Sequence, residues 1–358
     1  MRFHLDPSHH AWARSADPAA AVARTIGAAR VADEAGIAGI WVSEDPDGWD
    51  AFATLGALAR ETARAQLGTG VTNPFLRHPN LLAASVATLD RLSGGRAFVG
   101  LGRGQPEWYR HGLGIAADDP LAALDETVGL LRAWWDTGRA SSPGGGIFGV
   151  RDWERSIGPV QTAPPVYLAA VGPKALALAG RVADGVLFND LSSAAYLATA
   201  IGEVRASATA AGRDAAALRF FVRAGVTVTD DPEPILEREK GYLALVNTLP
   251  GMERGMRTPG FDVDAIVAGV RRAMRTEETL AAGGGFPALR RAGDLAAAKA
   301  LIPTALVAEL AVVGPLPEVR ARLAGLARIG VTDVFVGAPK QGEDAEAFGG
   351  MLAGLVGR

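Results

Sequence analysis

Short apolar runs alternate along this chain with longer segments whose apolar positions recur at helical spacing. The runs 2–5, 39–43, 66–71, 97–101, 166–170, 185–188, 219–228 and 331–336 predict strands, too continuously apolar for one face to meet water. Between them, Asp17-Pro18 offers a cap and a proline at the first helical position for a helix reaching Gly36. Further helices are predicted over 49–65, 81–92, 120–136, 175–183, 194–211, 319–329 and 343–356. In one of them Leu81, Leu82, Ser85, Val86, Leu89 and Leu92 form the apolar stripe, stopped by Ser93-Gly94-Gly95. Residues 231–304 break the alternation. Pro250-Gly251, Pro259-Gly260 and Gly283-Gly284-Gly285 interrupt several short helical patterns there, which read as a helical insertion before the last strand. Eight buried strands alternating with helices predict an α/β fold, a parallel (β/α)8 TIM barrel forming one domain over residues 1–358. A doubly wound open sheet is the competing architecture. Its glycine signature would follow the first strand, whereas GLGRG at 100–104 follows the fourth and lacks the full GxGxxG.

A barrel of this kind keeps its active site at the carboxyl ends of its strands, so the polar and glycine-rich residues there are the candidates. Asp6 ends the first strand. Glu44 and Asp45 end the second, paired carboxylates suited to acid/base work or to orienting a substrate. Gly70, Val71, Thr72 and Asn73 follow the third, and Gly102, Gly104 and Gln105 the fourth. After the fifth come Ala170, Val171, Gly172 and Pro173, where backbone amides and a helix start favour an anion, with Lys174 read as solvated. Asn189 ends the sixth. Trp108, Tyr109 and His111 suit the wall of a substrate pocket and aromatic packing equally. Arg77 and His78 sit at a helix start and read as cap and scaffold. His9 and His10 are adjacent, point apart and have no carboxylate at ligand spacing, so they read as residues of a mobile loop and not as a metal site.

Composition narrows the partners. Apolar residues make up 49% of the chain, enough for a large core, and the net charge is −3 with basic residues dispersed. That pattern argues against a nucleic-acid groove or a polybasic membrane surface and leaves a small-molecule substrate. Cysteine is absent, which removes disulfides, thiolate zinc sites, iron–sulfur clusters and thiol nucleophiles, and suits the cytoplasm. The start MRFHLDPSHH meets charge and proline too soon for a signal peptide, and no apolar run approaches a membrane span. No Ser/His/Asp arrangement or GxxxxGK[ST] loop is present.

The strings GTGVTNPFLRHP, ATLDRLSGGRAFVGLGRG, PPVYLAAVGPKALALAGRVADGVLF, RVADEAGIAGIWVSED and AELAVVGPLPEVRARLAGLARIGVTDVFV carry a family likeness. Together the chain resembles the bacterial luciferase-like superfamily of barrels, and within it the deazaflavin (coenzyme F-420)-dependent oxidoreductases of the methylenetetrahydromethanopterin reductase type. The resemblance implies hydride transfer between the deazaflavin and a small organic substrate, in a homodimer. It implies a non-prolyl cis peptide at Gly70-Val71 beneath the cofactor ring, with Thr72, Asn73, Gly102 and Gly104 lining the ring pocket. Asp6 and Asn189 are counted with these cofactor contacts. The cofactor phosphate would lie on Ala170, Val171, Gly172 and the helix start at Pro173. Two departures stand out. Relatives carry a histidine just after strand two, where Glu44 is followed by Asp45, and many place an acid where this chain has Gln105. Glu44, Asp45 and Gln105 are therefore the catalytic candidates. Two alternatives share the fold: an FMN-dependent monooxygenase fed by a flavin reductase, and a flavin-binding barrel without turnover.

Overall fold

The apolar runs pair side by side in chain order. The structure, a computed structural model, describes residues 1–13, 15–339 and 344–357. Strands β1 (Arg2–Asp6), β2 (Gly39–Val42), β3 (Gln66–Thr69), β4 (Ala97–Leu101), β5 (Val166–Ala169), β6 (Gly185–Leu187), β7 (Arg219–Val228) and β8 (Asp333–Gly337) are all parallel to their neighbours. Closure comes where β8 returns to β1, Arg2 standing opposite Asp333 and Asp6 opposite Gly337. The result is the predicted (β/α)8 barrel. A further strand of the same sheet, Val313–Gly314, pairs with β7, and Arg139–Ala140 pairs antiparallel with Trp153–Glu154. Neither was predicted. Each is two residues long and too short to give a periodicity.

The helices follow the signals that predicted them. Asp17 accepts from the Ala20 amide, Pro18 opens α1 (Pro18–Ala35), and Gly36 closes it at φ 86°. Around the barrel follow α2 (Ala51–Glu61), α3 (Pro79–Ser93), α4 (Pro120–Thr137), α5 (Pro173–Val182), α6 (Ala194–Ala210), α7 (Leu316–Arg328) and α8 (Ala345–Val356). The expected start of the last helix, Glu343, lies outside the described residues. On α3 the stripe is narrower than predicted: Leu82, Val86 and Leu89 are buried, but Leu81 and Leu92 are 52% and 44% exposed. The loop expected at His9 and His10 also differs: His10–Ala13 forms a helical turn, His9 is buried, and the two rings, expected to point apart, lie against each other with centroids 4.1 Å apart. Between β7 and Val313, helices run from Glu233 to Leu310, past the expected boundary at 304, and bury an apolar cluster of their own around Leu243, Val267, Val270 and Val307.

Inward-facing side chains fill the barrel. Trp41, Phe98, Tyr167, Leu187, Phe221 and Phe335 pack there, and Gly68 is glycine because a Cβ at that position would overlap the Phe98 ring. Beneath this layer lies a charged floor. The Trp41 indole donates to His4 Nδ1 at 3.1 Å, so the imidazole carries its proton on Nε2 and donates it to Asp333 Oδ1 at 2.7 Å. Arg219 reaches the same carboxylate with two nitrogens and also bonds Gln66 and Tyr167. Burial alone would raise the Asp333 pKa, but the bonds from His4 and Arg219 outweigh it and hold the carboxyl well below the usual range. Burial lowers His4 in turn, despite Asp333.

Both shifts make the unfolded chain bind more protons than the folded one, so stability falls as the medium is acidified. The loss sets in as pH falls past 6.5, the ordinary value of His4, and deepens below 3.8, that of Asp333. Replacing Asp333→Ala strands Arg219 in the floor and is expected to cost about 3 to 5 kcal/mol. Urea denaturation at pH 7 measures that cost, and a series down to pH 4 measures the slope.

Candidate active site

The mouth of the barrel is organised by the backbone that continues β3. After Thr69 the chain makes a cis peptide at Gly70-Val71, the position expected from sequence. Thr72 then rejoins β4, its amide donating to the Gly100 carbonyl at 3.0 Å and its carbonyl accepting from the Gly102 amide at 2.8 Å. Val71 is thereby turned across the strand ends. A Cβ on Gly102 would lie 2.7 Å from Val71 Cγ2, so that glycine is what lets the two segments touch. Asn73 folds its side-chain oxygen back to accept the amides of Phe75 and Leu76.

Two arginines fix this turn from opposite sides. Arg77 was expected to be scaffold; it grips Glu44, Nε lying 2.9 Å from both carboxylate oxygens and Nη2 2.7 Å from Oε1. The Thr72 hydroxyl and the Ala51 amide also donate to Glu44, whose own amide donates to the Val71 carbonyl at 3.2 Å. The Glu44 carboxylate is thus filled by donors of the chain itself. Arg223 comes from β7, donating to the Gly70 carbonyl at 2.7 Å and to Asp6 Oδ2 at 2.6 Å, with Asp190 Oδ1 3.7 Å away. Burial opposes its charge, but Asp6 and Asp190 outweigh burial and keep the guanidinium protonated. Sequence reading passed over Arg223. The signal was present: Arg219, Phe221 and Arg223 alternate along one strand, so both arginines share the inward face with an aromatic.

The remaining candidates divide into held and unheld groups. Asp45 is half-buried beside the same turn; burial first, then Asp47 and Asp6, push its carboxyl above the usual range, against His9 and Arg223. Asp190, also pushed up by burial, accepts from the Tyr242 hydroxyl at 2.6 Å, and Asn247 donates to its carbonyl at 2.5 Å. In this way the helical insertion is tied to the mouth. Gln105 is buried with its Oε1 unpartnered among the described residues, and so is the Nδ2 of Asn189. Gly104, at φ 61°, leaves room for the Tyr109 hydroxyl, and burial raises the Tyr109 pKa well above its ordinary value. Tyr109 stands in the mouth, where Asp45 and Glu44 both act on it. Trp108 turns away to pack edge-on against Phe286 of the insertion. His111 is exposed.

After β5, the Ala170 amide is committed to the Leu187 carbonyl at 3.1 Å. Among the described residues no hydrogen bond engages the amides of Val171 and Gly172. Gly172 stands at the N-cap of α5 without any side-chain cap, and nothing lies within 4 Å of a Cβ built on it. Tyr196 steadies the loop by donating to the Val171 carbonyl at 2.7 Å. Pro173 and Lys174 are exposed. These amides form an open anion seat. The unpartnered acceptor on Gln105 and donor on Asn189 add polar capacity at the strand ends.

The sequence model of the family described as luciferase-like monooxygenase matches residues 1–333. The chain is 36% identical over 187 residues to 5,10-methylenetetrahydromethanopterin reductase of Methanolobus tindarius, an alignment covering 52% of this chain and 56% of that protein. Against the protein of the same name from Archaeoglobus fulgidus, identity is 27%, over 87% of this chain and 88% of the other. The fold matches that of the coenzyme F420-dependent tetrahydromethanopterin reductase from Methanopyrus kandleri with a TM-score of 0.75 at 22% identity, covering 100% of this chain and 97% of that one.

The Glu44–Arg77 pair predicts a measurable dependence. Arg77→Ala leaves a buried carboxylate without its main donor and is expected to destabilise the protein by about 3 to 5 kcal/mol. Adding Glu44→Gln to that variant recovers part of the loss in a double-mutant cycle read by denaturant melts.

Proposed function

Since the chain belongs to the luciferase-like monooxygenase family, we propose that it is an oxidoreductase that binds the deazaflavin coenzyme F420 at the barrel mouth and transfers hydride between it and a small organic substrate. The observation that carries this reading is the open, uncapped amide seat at Val171, Gly172 and the start of α5, placed after a barrel strand, where the phosphate of such a cofactor would lie. The relatives named above support the choice of cofactor, as do the TNP and RHP residues after β3 and the GRGQ segment after β4. When bound, the deazaflavin supplies the hydride chemistry. The chain supplies the rest. Val71, Thr72, Asn73, Gly102 and Gly104 line the ring site, Asp6 acts through Arg223, and Gln105 and Asn189 offer the polar edge. Glu44 holds Thr72 and Arg77 in place, so that Asp45 is the carboxyl at the strand ends able to hold or release a proton. The same reading takes the chain as one barrel domain whose insertion shapes the substrate side of the mouth, working as a homodimer in the cytoplasm. The absence of cysteine fits a reducing compartment. No helix among the described residues is long and apolar enough to cross a membrane.

The second reading, an FMN-dependent monooxygenase served by a flavin reductase, uses the same anion seat and is favoured by the family's own description. Incubating the protein with reduced F420 and a panel of carbonyl and imine substrates distinguishes the two. Cofactor oxidation that needs substrate and proceeds without oxygen supports the deazaflavin reading. Turnover only with FMN and oxygen overturns it.

Gly172→Asp gives a second test. A side chain there meets open space, so it fits, and an aspartate supplies the missing side-chain cap, a gain of roughly a few tenths of a kcal/mol over glycine. The variant is expected to melt no lower than the parent while binding cofactor at least tenfold more weakly, by fluorescence titration. Unchanged affinity removes this loop from the site.

A further inference from the structure

His9 comes to the mouth from the loop after β1, and its ring is almost completely covered, with 7% of the residue exposed. Its Nδ1 lies 3.5 Å from Asp45 Oδ2, and among the described residues that nitrogen has no hydrogen-bond partner. The contact is built, not incidental. The Asp45 carbonyl accepts from the Gly48 amide at 3.0 Å, and a Cβ on Gly48 would lie 3.1 Å from His9 Cγ, so the imidazole rests on the one residue of that turn with no side chain. His10 packs on its other side at 4.1 Å between ring centroids, and Trp49 meets it edge-on. The Trp49 indole closes the turn by donating to the Ser43 carbonyl at 2.8 Å. Glu44, the residue preceding Asp45, is bonded through its amide to Val71. The carboxyl is therefore carried next to the segment that lines the ring site.

We propose that Asp45 is the proton donor of the reaction and that His9 is its positioning residue, holding the carboxyl at the mouth. The inference rests on the oxidoreductase reading and deepens it by naming a substrate class: a carbonyl or imine compound, whose heteroatom becomes basic as hydride reaches the carbon. In the reductive direction, hydride from the reduced deazaflavin forms the new C–H bond, and the C=O or C=N π pair moves onto the heteroatom. That pair takes the proton from Asp45, completing an O–H or N–H bond. The carboxylate left behind recovers a proton from solvent, which reaches the half-buried Asp45, while His9 at 3.5 Å holds it in place. Around Asp45, Asp47 and Asp6 favour its protonated form, Arg223 opposes it, and Glu44 and Tyr109 stand nearby.

The test begins without cofactor. In protein labelled with carbon-13 at aspartate carboxyls, Asp45 is expected to titrate above the ordinary range, and to move higher still in His9→Asn, since an opposing positive charge has gone. His9→Gln repeats the measurement in case the asparagine leaves a void that perturbs the turn. In the holoenzyme, Asp45→Asn is expected to lower kcat by about 10²-fold to 10³-fold with KM changed less than threefold. His9→Asn should shift the alkaline limb of the kcat profile upward, in step with the carboxyl titration, and Asp45→Glu should recover part of the rate. A purely structural contact would lower stability and leave that limb in place. An Asp45 carboxyl titrating at its ordinary value, or unmoved in both His9 variants, overturns the proposal whatever the turnover. Parent protein that binds deazaflavin but reduces no carbonyl or imine compound overturns the functional reading, a failure distinguishable from that of the pair.

Discussion

At the mouth of this barrel, four residues must leave the sheet and still be held to fractions of an ångström. Residues 70–73 continue β3 but have no continuous ladder partner, so their backbone groups must be met one at a time. Arg223 takes the Gly70 carbonyl, Glu44 the Val71 carbonyl, and the β4 backbone both polar groups of Thr72. Each of those partners is itself anchored: Arg223 by Asp6, Glu44 by Arg77, and β4 by its neighbours on both sides. The turn is held by charges that are themselves paired within the chain, the kind of preorganised support a binding site needs.

Charge is used differently at the two ends of the barrel. On the floor, His4, Asp333 and Arg219 close on one another around a fixed tautomer, and burial makes the arrangement sensitive to acid. At the mouth, the arginines satisfy some carboxylates and leave others short. Glu44 is saturated, whereas Asp45 has an imidazole at 3.5 Å and two like charges near it. Two adjacent carboxylates thus meet opposite surroundings, one closed by donors of the chain and one left beside like charges.

Much of this was legible in the sequence, and the divide between legible and hidden is physical. Strand runs, the Asp17-Pro18 cap, the Gly36 stop and the glycines after β3, β4 and β5 are local signals, so they survived into the structure within a few residues. The pairings were not local. Arg77 reaches back to Glu44, Arg223 spans from β7 to Gly70, and His9 meets Asp45 only because the loops after β1 and β2 lie side by side. Reading Arg77 as scaffold was right about its place at the start of α3 and silent about its partner. The burial of His9 was hidden because adjacent histidines suggested a mobile loop with the rings pointing apart, and nothing in the sequence says that Gly48 makes room for a ring.

The proposed deazaflavin site at this mouth can be tested by binding alone. Its most direct measurement is an anaerobic fluorescence titration of the purified protein with coenzyme F420 and, separately, with FMN. F420 is expected to bind saturably at one site with micromolar affinity or better, more strongly than FMN by at least about 1.4 kcal/mol, a factor of ten. FMN binding tightly while F420 fails to bind would contradict it.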